Sequence, residues 1–358
     1  MSARFSPHRL ARWLWSSRAL LPRLVRTALV PPALLYRAVM MGRAAAYRLG
    51  WLPVRTLPRP AVSVGNLAIG GSGKTPLAAW IAAQCARRGR RPGILLRGYG
   101  GDEHLVHQRL VPEAVVVPDP DRVAGAVRAV ASGADVLVLD DAYQRLDVAR
   151  ELNIAAVSAE NARTVAWPLP AGPWREGWDA LGRADLIVVT RKRASREEGA
   201  RLAAQLRQRW PGIPVAVAHL ALEHLEELHT GRRHGLAQLA GKRVLVAAGI
   251  ADPASLAVQV RASGATVQLV AYQDHHSYPE RDVEQLVQAL ADADYVVVTE
   301  KDAVKLRRRW PEGAREPLVA SLSVRWEGNG EAVERALDAL LARAPARGPH
   351  TGGPSPNP

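Results

Sequence analysis

Residues 61–76 read AVSVGNLAIGGSGKTP, and the fold turns on this stretch. An alternating apolar run (Ala61, Val62, Val64) ends in a glycine-rich turn that closes with Gly73-Lys74-Thr75, and a helix-compatible run, Leu77 to Ala86, follows at once. Strand, glycine loop, Lys-Thr and helix in that order are the context in which a P-loop works. Gly70, Gly71 and Gly73, with Ser72 among them, let the backbone fold tightly with its N–H groups turned inward. The helix behind them adds the positive end of its dipole. Lys74 would reach the outer phosphates of a nucleoside triphosphate, and the Thr75 hydroxyl would ligate Mg²⁺. The first glycine of G-x-x-x-x-G-K-[ST] is replaced by Ala68, so the double glycine before Ser72 has to supply the turn. A glycine-rich hairpin with an incidental Lys-Thr is the alternative.

A second motif stands at a suitable distance. Val136-Leu137-Val138-Leu139 is a continuous apolar run that reads as a buried parallel strand, and it ends in Asp140-Asp141. Ligands of open α/β sheets bind at the carboxyl ends of the strands, where an acidic residue commonly holds the Mg²⁺ of a P-loop enzyme. A helix N-cap or turn aspartate is the plainer reading of the same pair.

Further apolar runs at 93–96, 114–117, 153–157, 186–190, 214–218, 243–248, 266–271, 294–299 and 317–322 alternate with helical stretches such as 197–210, 253–263 and 280–292. This alternation predicts a P-loop NTPase-like, doubly wound α/β fold with a mostly parallel sheet covered on both faces. A charged, His-rich stretch at 220–241 (His219, His224, His229 and His234 in and beside it) reads as solvated loop or helix and as a subdomain boundary. The expected organisation is a membrane-associated segment over 1–50, a P-loop core over 51–225, a smaller C-terminal α/β subdomain over 226–343 and a disordered tail over 344–358.

Composition narrows the function. The chain has 358 residues and a net charge of +14, nearly all of the excess being arginine, because lysine occurs only at 74, 192, 242, 301 and 305. That balance attracts nucleic acid, an anionic membrane or a phosphorylated substrate, and no nucleic-acid-binding motif is present. The single cysteine, Cys85, suits a reducing cytoplasm and reads as core packing. Trp13, Trp15, Arg18, Leu20, Leu21, Arg23, Leu24 and Arg26 suit helix lying in the membrane interface. The uncharged apolar run from Thr27 to Tyr36 is too short to span a bilayer. A signal peptide or a helix docked on the protein's own core are the rivals.

Six phrases, SVGNLAIGGSGKTP, LLRGYGG, VLVLDDAYQRLDVARELNI, PAGPWREGWDALGRADLIVVTR, YQDHHSY and VVVTEKDAVKL, occur in an order that resembles the tetraacyldisaccharide 4'-kinase (lipid A 4'-kinase) family over residues 20–325. The resemblance implies transfer of the γ-phosphate of ATP, with Mg²⁺, to the 4'-hydroxyl of an acylated glucosamine disaccharide 1-phosphate. It also implies attachment to the cytoplasmic face of the inner membrane. It assigns phosphate and metal contacts to Lys74, Thr75, Asp140 and Asp141. It places Asp102 with a histidine, His275 or else His276, at the accepting hydroxyl, and puts Arg175 and Glu176 near substrate or metal. A surface ion pair is the simpler reading of the last two. Thr299-Glu300-Lys301-Asp302, at the end of a strand and the start of a helix, either borders the nucleotide or is a helix-capping box (Thr299, Asp302). The segment before Asp102 is shorter than is usual in the family, and Ala142 and Arg145 replace the usual glycine and histidine. Two other classes stay open: a P-loop GTPase or metallochaperone-type switch, against which Ile69 stands where such proteins carry an extra lysine, and an inactive membrane-bound scaffold.

Overall fold

The computed structural model describes residues 7–17, 19–98, 102–162 and 166–343; residues 1–6, Arg18, 99–101, 163–165 and 344–358 lie outside the described residues. The strands are β1 (Ala61–Gly65), β2 (Pro92–Leu96), β3 (Val115–Pro118), β4 (Val136–Asp140), β5 (Leu152–Ser158), β6 (Leu186–Arg191), β7 (Val215–Glu227), β8 (Arg233–His234), β9 (Arg243–Ala248), β10 (Thr266–Ala271), β11 (Tyr295–Thr299) and β12 (Leu318–Gly328). The helices are α1 (Pro7–Ser16), α2 (Leu20–Ala28), α3 (Val30–Arg48), α4 (Lys74–Arg87), α5 (Glu103–Leu110), α6 (Arg122–Ala131), α7 (Arg196–Arg209), α8 (Pro253–Ala262), α9 (Glu280–Ala289), α10 (Glu300–Leu306) and α11 (Gly330–Leu341).

All twelve strands form one sheet in the order β10-β9-β11-β12-β7-β6-β5-β1-β4-β2-β3, with β8 paired to β7. The central strands are apolar on both faces because helices cover both. Val62, Val64, Val136 and Val138 pack with Leu77, Ile81 and Cys85 of α4 and Val333 and Leu337 of α11. Ala61, Leu137 and Leu139 face Ala126 and Ala129 of α6 on the other side. Burial of this kind contributes about 25 cal/mol per Å² of apolar surface.

The ladder along β7 decides where a site can form. Residues 215–219 of β7 pair with β6 in parallel, whereas 217–227 pair with β12 antiparallel. Val297 of β11 lies beside Leu318, which lies opposite Glu227. The two parallel half-sheets therefore run in opposite directions and are offset along one long strand. Their carboxyl ends point at each other across a cleft. The stretch 220–241 is thus strand as far as Glu227, followed by an exposed turn, the short β8 and one 3-10 turn at Leu236–Leu239. His219 and His224 sit on β7 and His234 on β8, with only His229 in a turn. The alternation Leu220, Leu222, Leu225 escapes a periodicity reading because Glu223, His224 and Glu226 interrupt it with paired charges. Position 225/226 lies inside β7, so the half-sheets are joined by continuous strand.

Candidate active site

The P-loop leaves β1 at Gly65, where a Cβ would lie 2.6 Å from the Tyr143 Cβ. Ala68 bridges Trp174 antiparallel, and the Ile69 N–H donates to the Pro173 carbonyl at 2.8 Å. The loop is extended at Ala68, so no glycine is needed there. The left-handed turns fall instead at Gly70 (φ 128°) and Gly73 (φ 78°), the latter immediately before α4. The Ser72 hydroxyl accepts from Asn66 Nδ2 at 2.7 Å, and its carbonyl accepts from Thr190 Oγ1 at 2.8 Å. Gly73→Ala should cost roughly 1–2 kcal/mol from the left-handed backbone alone. Its Cβ would also lie 2.2 Å from Leu220 Cδ1. Urea unfolding of this variant measures the loss, and an unchanged midpoint would contradict it.

β4 delivers the two carboxylates into different surroundings. Asp141, at φ 50°, turns back to Lys74 Nζ (3.2 Å) and Arg175 Nη1 (3.0 Å). Burial alone would raise its pKa, but these two cations hold it at about 2. Asp140 is buried and accepts from His107 Nε2 at 2.9 Å, while its other oxygen, Oδ1, is buried without a partner. Glu176 is also buried, held by Arg183 at 2.8 Å and Gln144 at 3.1 Å. Arg175 and Glu176 are therefore not a surface pair; each supports the β4 end from its own side.

Helix α5 and the opposite half-sheet complete the arrangement. Asp102 precedes α5 but does not cap it. Its carboxylate meets His275 Nδ1 at 3.2 Å and Lys305 Nζ at 2.9 Å. Burial opposes its ionisation, yet His275 and Lys305 carry the pKa well below the usual range. The hydrogen bond that His275 donates to Asp102 raises the pKa of His275 against the effect of burial. His276 instead meets Asp282 at 2.5 Å, so the structure brings His275 to Asp102. Lys301 pairs with Glu103 at 3.2 Å, and Arg109 bonds both Glu226 and Glu300. Thr299 and Asp302 form the capping box of α10, while Thr299 also faces the cleft.

Gly70 to Thr75, Asp140, Asp141, Arg175, Lys192, His275 and Lys301 line one cleft of about 1170 Å³. The model of the family described as tetraacyldisaccharide-1-P 4'-kinase matches residues 25–112 and 100–342. The chain belongs to the tetraacyldisaccharide 4'-kinase family. It is 36% identical to the tetraacyldisaccharide 4'-kinase of Pelobacter propionicus, covering 86% of this chain and 90% of that one. It is 37% identical to that of Geobacter sulfurreducens, covering 79% and 85%. The fold is that of the LpxK of Aquifex aeolicus crystallised with ATP (TM-score 0.69, 24% identity, 88% of this chain and 99% of that one).

In this 4'-kinase family member the departures near Asp141 are absorbed locally. The left-handed residue is Asp141 itself, and Ala142 is fully buried in the core, so the missing glycine costs no turn. Arg145 bonds Asp147 at 2.8 and 2.9 Å and the Pro120 carbonyl at 3.0 Å, away from the cleft. Sequence reasoning passed over His107, Lys192 and Lys305. The signal for the two lysines was the rarity of that residue: of five in the chain, Lys74, Lys192 and Lys301 line the cleft and Lys305 holds Asp102.

Proposed function

We infer that this kinase transfers the γ-phosphate of ATP to the 4'-hydroxyl of a tetraacylated glucosamine disaccharide 1-phosphate, giving lipid IVA, at a membrane surface. The observation that carries the reading is the convergence, in one cleft, of the P-loop lysine, the β4 carboxylates and His275, with Asp102 buried behind the imidazole. Gly70 to Thr75 would cradle the phosphates. Lys74, which Asp141 holds at 3.2 Å, would compensate charge on the transferring group. Thr75, Asp140 and Asp141 would hold Mg²⁺, and the unpartnered Oδ1 of buried Asp140 is the oxygen that fits a cation. Among the described residues no three His, Cys, Asp or Glu side chains form a metal cage, which suits an ion completed by phosphate and water. When bound, Mg²⁺ offsets phosphate charge.

The acceptor's proton would pass to the Asp102–His275 pair. Asp102 is 3% exposed, whereas His275 lines the cleft with Nδ1 engaged and Nε2 left for the hydroxyl. The buried carboxylate would orient the imidazole and stabilise its charged form. Incubation with ATP, Mg²⁺ and tetraacyldisaccharide 1-phosphate, followed by mass analysis, tests the reading. One added phosphate supports it; nucleotide hydrolysis with an unchanged lipid favours a switch protein.

The membrane part rests on α1 to α3. Leu20, Leu21, Leu24, Leu34, Leu35, Val39 and Met41 are all more than half exposed. No single helix among the described residues is long and apolar enough to cross a membrane, and α2 and α3 meet at a 47° bend. An apolar face flanked by Arg23, Arg26, Arg37 and Arg43 fits an interfacial anchor. It is tied to the site, since Arg43 donates to the Gln144 carbonyl at 3.1 Å and Trp15 Nε1 to Pro170 at 3.0 Å. Lipid held there would stand beside Arg175 and Asp141. Removing residues 1–26 should release the protein from anionic vesicles, and added salt should weaken the intact protein only in part. Unchanged co-sedimentation of the shortened protein would remove this anchor.

A further inference from the structure

We propose that Lys192 is a nucleotide-contacting residue of this kinase, its ammonium meeting the bound triphosphate from the flank of β1 opposite to Asp141. The proposal rests on the P-loop reading above. In the sheet order, β5 and β6 lie on one side of β1 and β4 on the other. Lys74 is held from the β4 side by Asp141. Lys192 follows β6 directly and reaches the loop from the other side, where Nζ donates to the Gly71 carbonyl at 3.0 Å.

The backbone there is fixed before any ligand arrives. Glu160 Oε1 accepts from the N–H groups of Lys192, Arg193 and Ala194 at 2.6, 3.0 and 3.2 Å. Gln259 Nε2 donates to the Lys192 carbonyl at 3.3 Å. Three lysines line the cleft and a fourth, Lys305, stands behind His275 on Asp102; Lys74, Lys301 and Lys305 each have a carboxylate at 2.9–3.2 Å. For Lys192 no carboxylate lies within 4.0 Å among the described residues. One carbonyl uses one of three ammonium donors and neutralises no charge. Burial lowers the pKa of Lys192, with Asp252 and Glu160 opposing from farther away. An anion is what this cation lacks, and charge-assisted bonds to phosphate are strong.

The fit is to lysine rather than arginine. A Cβ at Gly71 would sit 3.4 Å from Nζ, so the loop and the ammonium share space that suits a compact point charge. Ile69 leaves the loop without a second lysine of its own, and Lys192 supplies that charge from just beyond the end of β6.

The test uses full-length wild type, Lys192→Met and Lys192→Gln, the last keeping a donor for the Gly71 carbonyl while removing the charge. Three measurements are compared: titration with a fluorescent ATP analogue and Mg²⁺, melting with and without ATP·Mg²⁺, and steady-state kinetics with ATP and tetraacyldisaccharide varied separately. Both variants should bind the analogue at least about tenfold more weakly and show KM for ATP raised to match. KM for the lipid should stay within about twofold, and melting without nucleotide should be unchanged or higher. The ATP-induced rise in Tm should shrink. ATP affinity within about twofold of wild type in a folded Lys192→Gln overturns the proposal. So does a lowered nucleotide-free Tm with unchanged KM for ATP, because Lys192 would then only brace the loop. A wild-type protein that neither binds the analogue nor phosphorylates the lipid sinks the kinase reading itself, a different failure.

Discussion

Replacing Lys74 by alanine should lower kcat by roughly 10²–10³-fold or more while leaving the fold in place. The lysine opens α4 at the carboxyl end of β1, and its ammonium has one carboxylate partner, Asp141 at 3.2 Å. Arg175 stays on Asp141 at 3.0 Å when Lys74 is gone, so the β4 end keeps a counter-charge and should not unravel. What disappears is the mobile cation able to follow charge onto the transferring phosphoryl group. Steady-state kinetics alongside a melting curve separate the two effects. A folded variant that keeps more than about a tenth of wild-type kcat would take Lys74 out of the mechanism.

The second large effect belongs to the acceptor side. Asp102→Asn and His275→Ala should each lower kcat by roughly 10²–10⁴-fold, with ATP affinity little changed. The double variant should lose scarcely more than the worse single one, because groups acting as a unit are not additive. The pH profile identifies which group faces the hydroxyl. His275 Nε2 can accept a proton only when the ring is neutral, so activity should rise with pH. The bond His275 donates to Asp102 raises the pKa of His275, which places the inflection above the ordinary value of about 6.5. Asp102→Asn removes the main cause of that rise, so the inflection should move to lower pH as kcat falls. An acid limb that stays put in Asp102→Asn would show that His275 is not the titrating base. Near-normal kcat in that variant would turn attention to Asp140 or Asp141.

Membership of a family that phosphorylates a lipid also bears on how the site is built. The two half-sheets meet across the cleft through ion pairs from one short helix. From α5, Glu103 reaches Lys301 and Arg109 reaches Glu300 and Glu226, while Asp102 just before it reaches Lys305 and His275. The same helix carries His107 to Asp140. Asp140 and Asp102, the carboxylates proposed for metal and acceptor, are thereby positioned by one element, which would let the two reacting groups keep register.

Local pattern determined the P-loop, the β4 carboxylates and the parallel α/β character. Each of these depends on residues within one strand–turn–helix unit, whose chemistry is read along the chain. The ten apolar runs all became strands; the central ones are apolar throughout because both faces are covered, while β3 and β10 at the sheet edges are less buried. The resemblance of six ordered phrases reached further, to Asp102 and a histidine, but left His275 and His276 undivided. Only the tertiary structure separated them, by placing one on Asp102 and the other on Asp282, 173 and 6 residues away in sequence. It alone showed that Ala68 needs no glycine, because Trp174 holds it extended, and that Arg145 serves Asp147 rather than substrate. The pairing of Lys305 with Asp102, like the cleft itself, depends on the offset along β7 that joins two opposed half-sheets. Such long-range pairing is set by packing and charge compensation between segments far apart in the chain, and no local periodicity encodes it.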